Sequence, residues 1–181
     1  MKFFFSLLLS TCFFSVTAQN SFNDTLRQQM VKEWERAKAY TQEYLNAVPA
    51  DKYGFRPTDS VRNFAEQMLH LASANAGFIF ICTGSKFPFA TKNFEKSPTA
   101  QSKDSVMYYV NTSYDFAIHA IQNMDVSKLG EVITWTMPGG KRTEIRLAWL
   151  LKAFEHQTHH RGQCTVYLRL MGIKPPAEKL F

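Results

Sequence analysis

Apolar positions recur every three or four residues in four stretches of the chain, and each stretch ends at a helix-breaking signal. The first runs from about Asp24 to Val48, with Leu26, Met30, Trp34, Ala37, Thr41, Tyr44 and Val48 on one face and Pro49 as its stop. The second follows Asp59 or Ser60 as N-cap and carries Phe64, Met68, Leu71, Asn75 and Phe78 on a stripe. A loop rich in Lys, Pro, Ser and Thr, from Gly84 to Ala100, leads to a third helix starting near Ser102, with Val106, Tyr109, Ser113, Phe116, Ala120 and Met124 in period. The period then changes to two: Ile133, Trp135 and Met137 alternate in EVITWTM, and Pro138-Gly139-Gly140 turns the chain, which predicts a short hairpin. Thr143 is an N-cap candidate for a fourth helix that runs to Met171 before Gly172 and Pro175-Pro176, roughly 40 Å at 1.5 Å per residue. Four amphipathic helices with a β-hairpin between the third and fourth predict an all-α fold, a helix bundle. The joint of about ten residues between the first two helices makes them antiparallel neighbours.

The beginning of the chain has another character. MKFFFSLLLSTCFFSVTAQN places one lysine before an apolar run and small residues before Gln19, the pattern of a secretory signal peptide over residues 1–18. The run is short for a membrane span and no charged stop follows. The expected mature domain is 19–181, exported to the periplasm or beyond. A lipoprotein alternative would acylate Cys12, but Thr11 is a poor residue in front of such a cysteine and the apolar run continues through Phe13 and Phe14.

The formal charge of +6 falls to +5 when Lys2 leaves with the signal. The remaining bases are interspersed with acids, as in VKEWERAK, and form no basic block with interleaved aromatics, so no nucleic-acid groove is expected. Nor is any later stretch apolar enough to embed the protein in a membrane.

The chemistry concentrates in FEHQTHHRGQ, residues 154–163. On a helix His156 and His160 share a face, one turn apart, whereas His159 is rotated by roughly 100° from His160 and points elsewhere. Two imidazoles at this spacing form a local chelate that needs a third ligand, and Gln157 stands where a metalloprotease helix carries its glutamate. Of the other histidines, His119 sits among Phe116, Ala120 and Met124, a structural setting. His70 has Glu66, Gln67, Ala74 and Gly77 on its face, groups that can orient a ligand or leave space beside it. Packed or solvated histidines are the plain alternative, and Arg161 reads as a structural ion-pair or backbone-binding residue.

His70 in FAEQMLHLASAN, followed far downstream by HQTHHRGQCTVYLRLMGIKPP, resembles the DinB/YfiT-like family of metalloenzymes. Tyr53-Gly54-Phe55-Arg56-Pro57 and Trp135 add to the likeness, which covers most of the mature chain. The resemblance implies an up-down-down-up four-helix bundle, frequent homodimers, and one divalent metal held by His70, His156 and His160. Some relatives transfer low-molecular-weight thiols or isomerise thiol adducts. Export argues against a cytosolic thiol cofactor and leaves metal-assisted hydrolysis beside thiol transfer to a small-molecule substrate. A bundle that binds a metal or ligand without catalysis is the reading of a different class.

Three neutral imidazoles leave coordination positions open, as in catalytic sites. Zinc is the first choice, and nickel or iron suit imidazole as well. Gln163, one turn beyond His160, and Glu66, one turn before His70, are the candidates to orient the ligands. Histidine's reference pKa places proton competition for the metal below about pH 6. If the second and fourth helices run antiparallel with the histidines level, Cys82 and Cys164 lie about 18 Å and 9 Å away in opposite directions. That is too far for a disulfide, so two free thiols are expected.

Overall fold

Punctuation along the chain sets where each helix begins. The computed structural model describes residues 3–90 and 93–181, with side chains from residue 22 onward, so the side chains of the expected signal, that of Cys12 included, lie outside what is described. Four helices, α1 (Phe3–Ala47), α2 (Phe64–Thr83), α3 (Lys103–Asn123) and α4 (Arg146–Leu170), carry most of the chain. Two antiparallel strands, β1 (Val132–Met137) and β2 (Gly140–Ile145), lie between α3 and α4. Among the described residues no helix is long and apolar enough to cross a membrane.

Three helix starts differ from the sequence expectation, that of α1 because the helix already runs from Phe3 rather than from about Asp24. α2 begins after Asn63, not Asp59 or Ser60: the Asn63 side chain accepts from Glu66 N at 2.7 Å, and the Glu66 carboxylate accepts from Asn63 N at 2.8 Å. This reciprocal capping box satisfies two amides that would otherwise be orphaned. α4 begins after Ile145 because Thr143 is committed to the hairpin, paired with Thr134. There the sheet wins over a good capping residue. Pro138 and Gly139, the latter at φ 90°, close the hairpin, and φ > 0 after proline is the conformation that glycine permits.

Direct contacts fix how the helices run. Tyr167 donates to Arg62 O at 2.8 Å and Arg146 to Cys82 O at 2.7 Å, so α2 and α4 are antiparallel along their length. Asn63 meets Gln101 and Asn75 meets Ser113, which makes α2 and α3 parallel. Lys38 meets Asp115 and Lys103 meets Val48 O, which makes α1 and α3 antiparallel. α1 runs parallel to α4, with Thr41 on Arg161 and Tyr44 on Thr165. α2 packs against α3 and α4, and α1 against α3 and α4. The expectation that α1 and α2 are packing neighbours is therefore corrected: their long joint folds down over one end, through the Ala50–Lys52 turn and buried Tyr53, and sets them across the core.

The core joins all four helices, with Trp34, Leu45, Met68, Leu71, Tyr114 and Trp149 among its buried side chains. Through its middle runs a polar thread. Arg161, buried, donates to Gln157 Oε1 at 2.5 Å and Thr41 Oγ1 at 3.2 Å, and its guanidinium lies 4.7 Å from the Tyr40 ring centre. Tyr114 OH donates to the same Gln157 oxygen at 2.8 Å. Burial of a guanidinium demands such partners, so the expected structural role of Arg161 is met by neutral acceptors and an aromatic face. Cys82 and Cys164 are free and buried, as the antiparallel α2 and α4 require. Burial pushes the Cys82 thiol up to about 12 and the Cys164 thiol higher still, so neither is a nucleophile.

Candidate metal centre

The antiparallel contact of α2 with α4 brings His70 level with His156 and His160. His156 and His160 are one helical turn apart, and their Nε2 atoms approach to 3.2 Å. The His70 ring centre lies 5.1 Å from that of His156 and 4.6 Å from that of His160. One ligand nitrogen from each residue falls within 4.8 Å of the others. Two nitrogens on one tetrahedral ion, each bonded at about 2.0–2.1 Å, are about 3.4 Å apart. The α4 pair already has nearly that spacing.

His70 is oriented from outside the helices. Its Nδ1 lies 2.9 Å from Glu95 Oε2, and the other Glu95 oxygen accepts from Arg62 Nε at 2.9 Å. With Nδ1 held by a carboxylate, Nε2 is the nitrogen turned to the other rings, the carboxylate–histidine arrangement that fixes a ligand's tautomer. Glu95 comes from the short turn Phe94–Lys96, in the loop between α2 and α3. Buried Phe94 stacks on Tyr109 at 4.1 Å between ring centres and anchors that turn.

The two residues expected to orient the ligands do other work. Glu66 caps α2 and pairs with Arg56 at 2.8 Å. Gln163 accepts from Gln67 and lies 3.0 Å from His159 Nε2, so it braces the exposed His159. His119 is exposed on α3 and outside the cluster.

Burial is the first cause of the electrostatics here. It lowers His156 to about 4, reinforced by the positive charge that His70 and His159 would carry, and lowers His160 to about 3, reinforced by His156 and His70. Both rings are therefore neutral, with lone pairs available, at neutral pH. Burial raises Glu95, but the bonds from His70 and Arg62 outweigh it and hold the carboxyl at about 2. Among the described residues, Nδ1 of His156 and Nδ1 of His160 are buried without a partner. With the protons on Nδ1, the two facing Nε2 atoms turn lone pairs on each other at 3.2 Å, which costs free energy unless a cation draws on them. This donor set fits one divalent cation.

A cavity of about 800 Å³ opens beside the cluster, lined by Arg62, Gln67, Glu95, Lys96 and Gln163 among others. It lies one turn from His70 along α2 and one turn from His160 along α4. A small molecule fits a space of this size.

Comparison with known proteins agrees with this architecture. The sequence profile of the DinB family matches residues 19–180. The chain belongs to the DinB family. It is 24% identical over 145 residues to the uncharacterized protein YjoA of Bacillus subtilis (strain 168), covering 80% of this chain and 90% of that protein. A DinB-like protein from Bacillus cereus ATCC 10987 superposes with a TM-score of 0.69 at 20% identity, over 83% of this chain and 96% of the other. The crystal structure of B. subtilis YjoA gives 0.61 at 22% identity, over 84% and 96%. These similarities show a DinB fold, with four helices and a small antiparallel sheet.

The low His156 and His160 values carry a prediction for the metal-free DinB chain. Histidine in an unfolded chain titrates near 6.5, so the unfolded state takes up protons first as the pH falls. Native stability should therefore drop from about pH 6.5 down to about 4, with the loss complete below the folded value of His160, about 3. NMR titration of the imidazole carbons checks this. Midpoints near 6.5 for both rings would mean that they are not desolvated.

Proposed function

We propose that this DinB-family chain is an exported metal-dependent enzyme acting on a small molecule, with His70, His156 and His160 holding one divalent cation. The observation that carries the reading is the convergence of three ring nitrogens, from two antiparallel helices, within 4.8 Å and beside a cavity of about 800 Å³. Helix directions measured pairwise support the up-down-down-up bundle, with the hairpin joining α3 to α4. Imidazole donors suit zinc first, then nickel or iron.

When bound, such a cation supplies Lewis acidity toward negative charge developing on a substrate oxygen or sulfur. The protein's own contribution is positional. Glu95 accepts the Nδ1–H of His70 and fixes its tautomer, while burial keeps His156 and His160 neutral. Gln67 and Gln163, bonded to each other, form the polar wall between the histidines and the cavity. Ester hydrolysis and transfer of a thiol both fit this arrangement.

A screen of esters and thiol conjugates with the metal-loaded protein tests the proposal, with His70→Ala as control. Turnover that His70→Ala abolishes is expected. Stoichiometric metal binding with no turnover of either class would make the chain a non-catalytic binding protein. Glu95→Ala is expected to weaken metal affinity about 10–100-fold by releasing His70 Nδ1. Competition with a chromophoric chelator measures it, and an unchanged affinity would remove Glu95 from the site.

A further inference from the structure

We infer that the cavity beside the three histidines binds a carboxylate group of the small-molecule substrate, held by Arg62 and Lys96. The inference deepens the proposed reading, because the metal centre is what would make that molecule a substrate; binding itself depends only on the cavity.

Six charged side chains line the cavity, and what matters is which of them are already committed. Arg56 is committed twice, to Val61 O and to Glu66 Oε2. Both Glu95 oxygens are taken, one by Arg62 Nε and one by His70 Nδ1. Arg62 spends only its Nε. Its two Nη nitrogens have no protein partner among the described residues, and the ion pair with Glu95 fixes the plane in which they point. A fixed guanidinium with a free edge is a donor fork for a carboxylate.

Lys96 follows Glu95 in the same short turn and also has no protein partner among the described residues. The two uncommitted cationic groups are thus tied to one wall, Arg62 by its ion pair and Lys96 by chain continuity. Among the described residues two acids keep uncommitted oxygens, Asp59 on the turn ahead of Arg62 and Glu66, of which only Oε2 is engaged, and both disfavour an anion at their end of the cavity. A carboxylate therefore belongs at the Glu95 wall. Because Glu95 also touches His70, a molecule anchored there extends toward the histidines.

Titration of the full-length chain with succinate, and in parallel with uncharged succinamide, tests this. Backbone amide shifts are followed by NMR in the protein as purified and again after chelation. Succinate is expected to shift the amides of Arg62, Gln67, Glu95 and Gln163 in both preparations, and succinamide is not. Lys96→Gln, at an exposed position, should weaken succinate binding by about tenfold, the cost of one charge-assisted bond, without changing the melting temperature. Equal shifts from the two compounds, or succinate shifts untouched by both Lys96→Gln and Arg62→Gln, would overturn the inference. Metal content of the same samples separates the two readings: succinate shifts in a chain that binds no metal sustain the carboxylate site and remove the metal centre.

Discussion

For His160→Ala, metal content is expected to fall from the one ion per chain proposed for the wild type to near none, since two imidazoles seldom retain what three hold. His160 is the most confined of the three, buried and placed between the other two rings at 4.3 and 4.6 Å. The loss should also appear in stability. A metal at about a hundred times its dissociation constant adds about 2.7 kcal/mol to the native state. The wild-type melting temperature should therefore rise on adding metal, and that of His160→Ala should not. In the absence of metal the variant keeps its fold, because the truncation also removes a buried, unpartnered Nδ1. Elemental analysis and thermal melts with and without metal check both parts. Full metal content in the variant would mean that His160 is a packing residue.

Trp34→Ala is expected to do the reverse, costing about 3–5 kcal/mol of stability while leaving the metal site intact. Trp34 is 2% exposed and meets Tyr114 of α3 and Phe154 of α4 edge-on, at 5.9 and 5.6 Å between ring centres. It is the wedge by which α1 holds α3 and α4. Against a typical total of about 5–15 kcal/mol, this loss is a large fraction of what keeps the domain folded. The ligands are on α2 and α4, whose mutual contacts do not involve Trp34. Urea unfolding gives the cost, and metal content of the folded variant gives the specificity. A loss below about 1 kcal/mol would show that α1 is not packed as described.

Much of this arrangement was legible in the chain. The spacing of His156 and His160 puts them on one helix face whatever surrounds them, and the polar and small neighbours of His70 marked it above His119. The α3 stripe was legible only to within a position. Val106, Ser113 and Ala120 are buried as read, but Val110, Tyr114 and Ala117 fill the core where Tyr109, Phe116 and Met124 are half-buried. A face wider than one residue blurs a period of 3.6.

The orienting residues were harder. Glu66 and Gln163 stand one helical turn from His70 and His160, and one turn is the only distance a sequence states directly. Yet Asn63-Phe64-Ala65-Glu66 before an apolar run is itself a capping-box signature, which already assigns Glu66 elsewhere. Glu95 left no such trace. It lies 25 positions from His70 in an aperiodic loop, and its approach depends on Phe94 stacking on Tyr109. The hairpin likewise overrode Thr143, because pairing with Thr134 across the sheet is a relation between strands and not a property of one segment.

Diffraction from crystals of the metal-loaded protein, collected at the absorption edge of the bound metal, tests the centre most directly. One anomalous peak within about 2.0–2.1 Å of a ring nitrogen from each of His70, His156 and His160 is expected. A peak on other side chains, with the His70 ring turned away from α4, would contradict a three-histidine centre.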